Sequence, residues 1–293
     1  MNKPIFTVVL AGLLVAAASV DAASLKCKLI MPGDKSWEGS IVGRDGDWIE
    51  FSTGASPRPI RVGASTIKEL EFEVEVDLER LNILNREREY ENIISVLERM
   101  LAPFAEYDDI PSNLTPYKSS LMETYYKIKN YDMTLGIAAK LAKDDRNPEL
   151  QERSRVYQAL ALIDAGRAEE AQAVMSKYGW DQNLGEDAPP EKLYIMAKLL
   201  ALKKDYSSAM ELVAKIIAFN SQNPEWMQPA EFFCAEIYTE LGMYDSAEEV
   251  IRQISLLYKD TNEDDMAQKL KLKIEKLRAE KELQESLETT EEA

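Results

Sequence analysis

The stretch that decides the fold is YTELGMYDSAEEVI, Tyr238–Ile251. Tyr238 is followed four residues on by Gly242, two later by Tyr244 and three later again by Ala247, with charged residues filling the gaps. Apolar positions three and four apart on either side of a glycine describe two helices that meet at a reversal. A residue without Cβ takes the left-handed conformation such a reversal needs at little cost.

Laid against itself, the chain repeats this order. The slot of Tyr244 is matched by Tyr90, Tyr131, Ala168 and Tyr206, at separations of 41, 37, 38 and 38 residues. Three residues beyond the slot stand Ile93, Thr134, Ala171, Ala209 and Ala247; seven beyond it stand Leu97, Ala138, Met175, Val213 and Ile251. Six before it come Leu84, Tyr125, Leu162, Leu200 and Tyr238, and nine before it Leu81, Met122, Ala159, Ala197 and Ala235. Offsets of three and four mark the buried stripes of two successive helices. Gly166 and Gly242 hold the turn slot; Arg88, Lys129 and Lys204 hold it in the other units, at a modest strain.

These residues resemble the tetratricopeptide repeat (TPR) family, whose units are paired antiparallel helices with a small residue and an aromatic in the first helix, a turn glycine, then an aromatic and an alanine in the second. The resemblance covers about residues 75–260, is clear in the last three units, and is degenerate in the first two, where Leu81 and Met122 replace the small residue. The units are about four residues longer than the family's usual 34, and Pro148 and Pro224 sit two to three positions late for a closing proline. The expected fold is mainly α: a TPR-like α-solenoid of about five helical hairpins over 77–261, each burying its apolar face on the next, then a capping helix from Asn262 whose acidic tail frays from Glu288 to Ala293.

Residues 23–76 read as β. Glu69–Val76 alternates charged and apolar side chains without a break, placing Leu70, Phe72, Val74 and Val76 on one face of a strand. Asp45-Gly46 between Trp37–Val42 and Asp47–Ser52 signals a tight hairpin, not a calcium loop, because the further oxygen ligands of an EF-hand are missing. With Leu25–Met31 and Arg58–Val62 this makes five short strands, a count that suits a small SH3-like barrel.

Residues 1–22 combine Lys3, an apolar run from Ile5 to Ala18 and small residues at Val20-Asp21-Ala22. That is the pattern of a signal peptide cleaved after Ala22; the apolar run is short for a bilayer core of roughly 30 Å. The expected location is the periplasm or cell envelope, with no transmembrane span in the mature chain. Cleavage removes Lys3 and Asp21, one charge of each sign, so the net charge stays at −17.

That charge repels phosphate backbones, and no basic cluster offsets it, so nucleic acid is not an expected partner. The chain has no histidine, which removes His-dependent nucleophile systems and His-ligated metal sites. Its 2 cysteines, Cys27 and Cys234, cannot build a thiolate cage and read as buried small hydrophobes. No catalytic, metal or cofactor residues are assigned. The acidic clusters Asp144-Asp145, Glu169-Glu170, Glu248-Glu249 and Asp264-Asp265 lie at helix ends or outward faces, unlike the paired carboxylates of a hydrolase.

The resemblance implies a protein or peptide partner held by the first helices on the concave side of the array. The matching positions are Tyr126, Lys127, Val156, Leu160, Tyr194, Lys198, Phe232 and Glu236. Where family arrays that clamp an acidic C-terminus carry Lys and Asn, this chain has Leu78, Ser119, Val156, Tyr194 and Phe232. The expected role is a non-catalytic scaffold or adaptor. The alternatives are an architectural protein that self-associates through the β-edge or through Leu270, Ile274 and Leu277, and, with less support, a carboxylate-based hydrolase.

Overall fold

The computed structural model describes residues 24–33, 35–144, 146–185, 187–259 and 261–291. The expected signal segment, 1–22, lies outside them. The chain forms two compact units: residues up to Glu75 together with Pro103–Asn113, and Val76–Ala102 together with Leu114 onward.

The first unit holds one five-stranded antiparallel sheet, β1 (Leu25–Ile30), β2 (Ser36–Asp45), β3 (Trp48–Ser52), β4 (Ile60–Gly63) and β5 (Glu69–Phe72), in the order β4-β3-β2-β1-β5. A 3-10 turn, Ala64–Thr66, separates β4 from β5. The β2–β3 reversal falls at Asp45-Gly46, with Gly46 at φ +57°, as the Asp-Gly pair predicts. Alternation places Cys27, Leu29, Ile41, Ile49, Phe51, Leu70 and Phe72 in the core. β5 stops at Phe72, short of the expected Val76.

The core of this unit also takes in a segment that the periodicity assigned to the repeats. Pro103–Asn113 leaves the helical array after its first hairpin and completes the sheet's core. Phe104 and Tyr107 stack on Phe72 at centroid distances of 4.5 and 6.1 Å. The Asn113 side chain accepts from the Phe72 amide at 3.0 Å and donates to its carbonyl at 2.9 Å, and Ser112 bridges Leu70 in parallel. Arg44 donates to both carboxylate oxygens of Asp109, at 2.5 and 2.7 Å.

The second unit is the expected stack of helical hairpins: α1 (Leu78–Arg86) with α2 (Tyr90–Leu101), α3 (Thr115–Lys127) with α4 (Tyr131–Leu141), α5 (Pro148–Asp164) with α6 (Ala168–Lys177), α7 (Pro190–Leu202) with α8 (Tyr206–Phe219), and α9 (Pro224–Glu240) with α10 (Tyr244–Leu257), followed by α11 (Asn262–Glu291). Each residue of the Tyr244 slot opens the second helix of its hairpin. All five turn residues are left-handed: Arg88 (φ +57°), Lys129 (+62°), Gly166 (+76°), Lys204 (+66°) and Gly242 (+72°). In each turn the next residue's amide donates back to the inner slot, Leu84, Tyr125, Leu162, Leu200 or Tyr238, at 2.8 to 2.9 Å. One hydrogen-bond pattern therefore ends every first helix.

The alanines explain how closely the helices approach. Ala159, Ala171, Ala197, Ala209, Ala235 and Ala247 are fully buried, so each hairpin meets its neighbour backbone to backbone. Pro148 and Pro224, read as late closers, in fact open helices, as Pro190 does. Pro148, Pro190 and Pro224 start α5, α7 and α9, where the missing N–H has no partner to lose. Leu270 and Ile274 are buried against α9 and α10 with Ala235 and Ile251, so two residues offered for self-association are consumed by the cap. The last helix extends to Glu291 through a run of good helix formers.

Candidate functional site

Within the helical unit, the first helices α3, α5, α7, α9 and α11 each pack on the next. Two ion pairs show which way the array bends. Arg153 of α5 reaches Glu225 of α9 at 2.9 Å, past the intervening α7. Arg88, in the first hairpin's turn, pairs with Asp265 at the start of α11. Helices packed about 8–10 Å apart bring α5 and α9 into such contact only if the stack curls toward its first helices. The first helices therefore line the inner face.

That face is charged and aromatic. Asp164, at the end of α5, accepts from the Tyr126 hydroxyl and from Lys198 Nζ, each at 2.6 Å. The ion pair is largely sheltered, with side chains 18% and 20% exposed. Burial opposes the charge on Lys198, but the facing Tyr194 and Asp164 override it and raise the ammonium pKa above the usual lysine value. Tyr126 is pushed well above the usual phenol range by burial and by Asp164, and Tyr194 by burial to about 12. Glu236 lies on α9 beside this pair; burial lifts its carboxyl pKa, which Lys198 partly counters.

Farther along, Arg153 is held on one side by both Glu123 carboxylate oxygens and on the other by Glu225. Lys127 donates to the Asn85 side-chain oxygen at 3.1 Å and sits 5.2 Å above the Tyr90 ring; burial lowers its pKa. Around it opens a cavity of about 180 Å³ lined by Leu81, Asn82, Asn85, Ser120, Glu123 and Lys127, among others. Tyr126 packs edge-on against Tyr157 at 5.3 Å, and Tyr194 packs against Trp226 and Phe233 at 5.7 and 5.8 Å.

The eight positions expected to line the groove divide by environment. Val156, Leu160, Tyr194 and Phe232 are buried in the seams between helices. Lys127 is exposed, while Tyr126, Lys198 and Glu236 are partly exposed. The residues that complete the site, Glu123, Arg153, Asp164 and Glu225, were not singled out by the repeat pattern. A signal was there: Asp164 follows Val156 and Leu160 at steps of four, and so continues their stripe.

The acidic clusters named in the sequence are otherwise engaged. Asp144 pairs with Arg146, Glu170 with Arg167, and Glu249 with Arg252. Among the described residues no group of three or more Cys, Asp or Glu side chains is placed to hold a metal ion, and no helix is long and apolar enough to cross a membrane. Both cysteines are buried and free.

The fold defines a TPR-like helical-repeat protein with a small antiparallel sheet. No protein-family model and no curated protein matches the chain. Among solved structures it is similar to a Podosopora anserina kinesin light chain protein of nearly identical TPR-like repeats, at 16% identity and a TM-score of 0.40, over 61% of this chain and 91% of that one. It is also similar to the apo form of RapI, at 14% identity and a TM-score of 0.41, over 65% of this chain and 55% of RapI.

Proposed function

We propose that this chain is a non-catalytic scaffold or adaptor, exported to the periplasm or cell envelope, that holds a segment of a partner protein against the inner face of its TPR-like array. The observation that carries this reading is the inner face itself, where exposed Lys127 and partly exposed Tyr126, Lys198 and Glu236 stand over a packed aromatic floor. Aromatic anchors ringed by polar groups are the anatomy of a binding surface. A paired-carboxylate hydrolase fits less well, since Lys198 occupies Asp164 beside Glu236. The signal-like residues 1–22 support export. The order β4-β3-β2-β1-β5, with a 3-10 turn before β5, supports an SH3-like reading of the sheet unit.

The test places a photo-crosslinking amino acid at Lys127, on the inner face, or at Lys269, exposed on α11, in the native cell. A discrete adduct from position 127 and none from 269 is expected. The same adducts from both positions, or none from 127, would refute the groove. N-terminal sequencing of the purified protein tests export, with Ala23 expected as the first residue.

A further inference from the structure

Two ion-pair straps cross the inner face of the helical unit. The first runs from α3 to α9 through α5: Arg153 donates to both Glu123 carboxylate oxygens and, from Nη1, to Glu225 at 2.9 Å. The second joins the two ends of the array. It pairs Arg88, in the first hairpin's turn, with Asp265 in the first turn of α11, 177 positions on. The helices themselves pack only step by step at these ends, α2 on α3 and α11 on α9 and α10. In a straight stack the four steps from α3 to α11 would alone span roughly 30–40 Å, beyond the reach of any arginine. The end pair therefore forms only while the array is curled, and it resists uncurling in return.

The straps differ in shelter. Arg153 and Glu123 are 34% and 19% exposed and meet as a two-pronged fork, whereas Asp265 is 60% exposed. A forked, sheltered pair is strong and poorly screened; an exposed pair is weak and weakens further with salt. The end pair is thus the one that yields first, and its loss frees the first hairpin from α11 while Arg153 keeps the middle of the array in place.

We propose that Arg88 and Asp265 form a releasable clasp: closed, it holds the inner face narrowed, and its release widens the groove to admit the partner segment. The gating role rests on the groove-binding reading above. Double electron–electron resonance on the full mature chain tests the clasp, with nitroxides on cysteines introduced at Glu87, beside Arg88, and at Lys269, one turn beyond Asp265, both exposed. The chain without these two substitutions measures any labelling of the buried Cys27 and Cys234. In about 20 mM salt one short distance is expected, and in about 500 mM salt, where the pair is screened, a longer one grows about twofold to fivefold. Arg88→Gln shows the longer distance at low salt already, and exchanging the charges, Arg88→Asp with Asp265→Arg, restores the short one. Arg167→Gln, which breaks an ion pair confined to the start of α6, leaves the distances as they are in the unaltered chain. Circular dichroism confirms that all variants are folded.

Identical distances in the unaltered chain and Arg88→Gln at both salt concentrations would overturn the clasp, since helix packing alone would then set the curl. Equal widening in Arg167→Gln would overturn it as well. Opening must also reach the groove: the adduct from position 127 rises about twofold to fivefold in Arg88→Gln, and an unchanged yield overturns the gating role. If neither protein gives that adduct while the spin-label distances still shift, the groove reading falls and the clasp stands.

Discussion

Replacing Lys198 by methionine removes the ammonium that holds Asp164 while keeping most of the side-chain volume. Asp164 then keeps the Tyr126 hydroxyl as a donor but loses its counter-ion at 2.6 Å, and Glu236 loses the nearest positive charge. Removing one partner of a buried pair costs about 3–5 kcal/mol. With the side chains 18% and 20% exposed, some solvent reaches the orphaned carboxylate, so the lower end, about 3 kcal/mol, applies. With a urea slope of roughly 3 kcal/mol per M for a chain of this size, the unfolding midpoint falls by about 1 M. The double variant Lys198→Met, Asp164→Asn removes both charges of the pair, leaves only the loss felt by Glu236, and recovers all but about 1 kcal/mol. Urea unfolding followed by circular dichroism at pH 7 reads both variants. If the single and double variants lose the same stability, the pair is not what organises the inner face, and the reasoning fails.

At the turns, Gly166→Ala and Gly242→Ala force alanine into φ +76° and +72° and each cost about 1 kcal/mol, whereas Lys129→Gly at φ +62° gains a few tenths to about 1 kcal/mol; thermal melts with the opposite ordering would contradict the shared turn geometry. Residues 23–76 expressed alone lack Phe104, Tyr107 and Asn113, so the fragment gives a collapsed amide NMR spectrum. In the full chain Phe104→Ala costs about 3 kcal/mol or more, and a well-dispersed spectrum from the fragment would show that the inserted segment is dispensable. Glu236 has a raised folded pKa, so its ionised form costs stability. Relative to Glu236→Gln, the unaltered protein is equally stable near pH 3 and loses ground as pH rises through the folded value. A difference that does not vary with pH would place Glu236 in open solvent. The same substitution is expected to stabilise the chain near neutral pH.

The helical hairpins were legible because their signal is local. The residues of the Tyr244 slot, the turn residues and the contact alanines recur at nearly constant spacing, and each acts through the turn or the adjoining helix, whose geometry is the same wherever it occurs. Even the left-handed turns at Arg88, Lys129 and Lys204 followed from alignment with two glycines. The prolines misled because the same residue suits the end of one unit and the first turn of the next. The sheet was legible in its strands, but the end of β5 was not. The segment that packs on Phe72 lies about thirty residues downstream, joined by aromatic contacts that leave no periodic trace.

By its own residues the sequence determined the repeat period, the hairpin, the turn conformation and the strand alternation, since each depends on neighbours within a few positions along the chain. Only the tertiary structure decided that Pro103–Asn113 belongs to the sheet, that Arg153 spans from Glu123 to Glu225, and that Asp164 takes Lys198 while Glu236 goes without. The physical reason is that burial and charge pairing depend on distance in space. The curl of the stack brings together side chains 72 and even 177 positions apart.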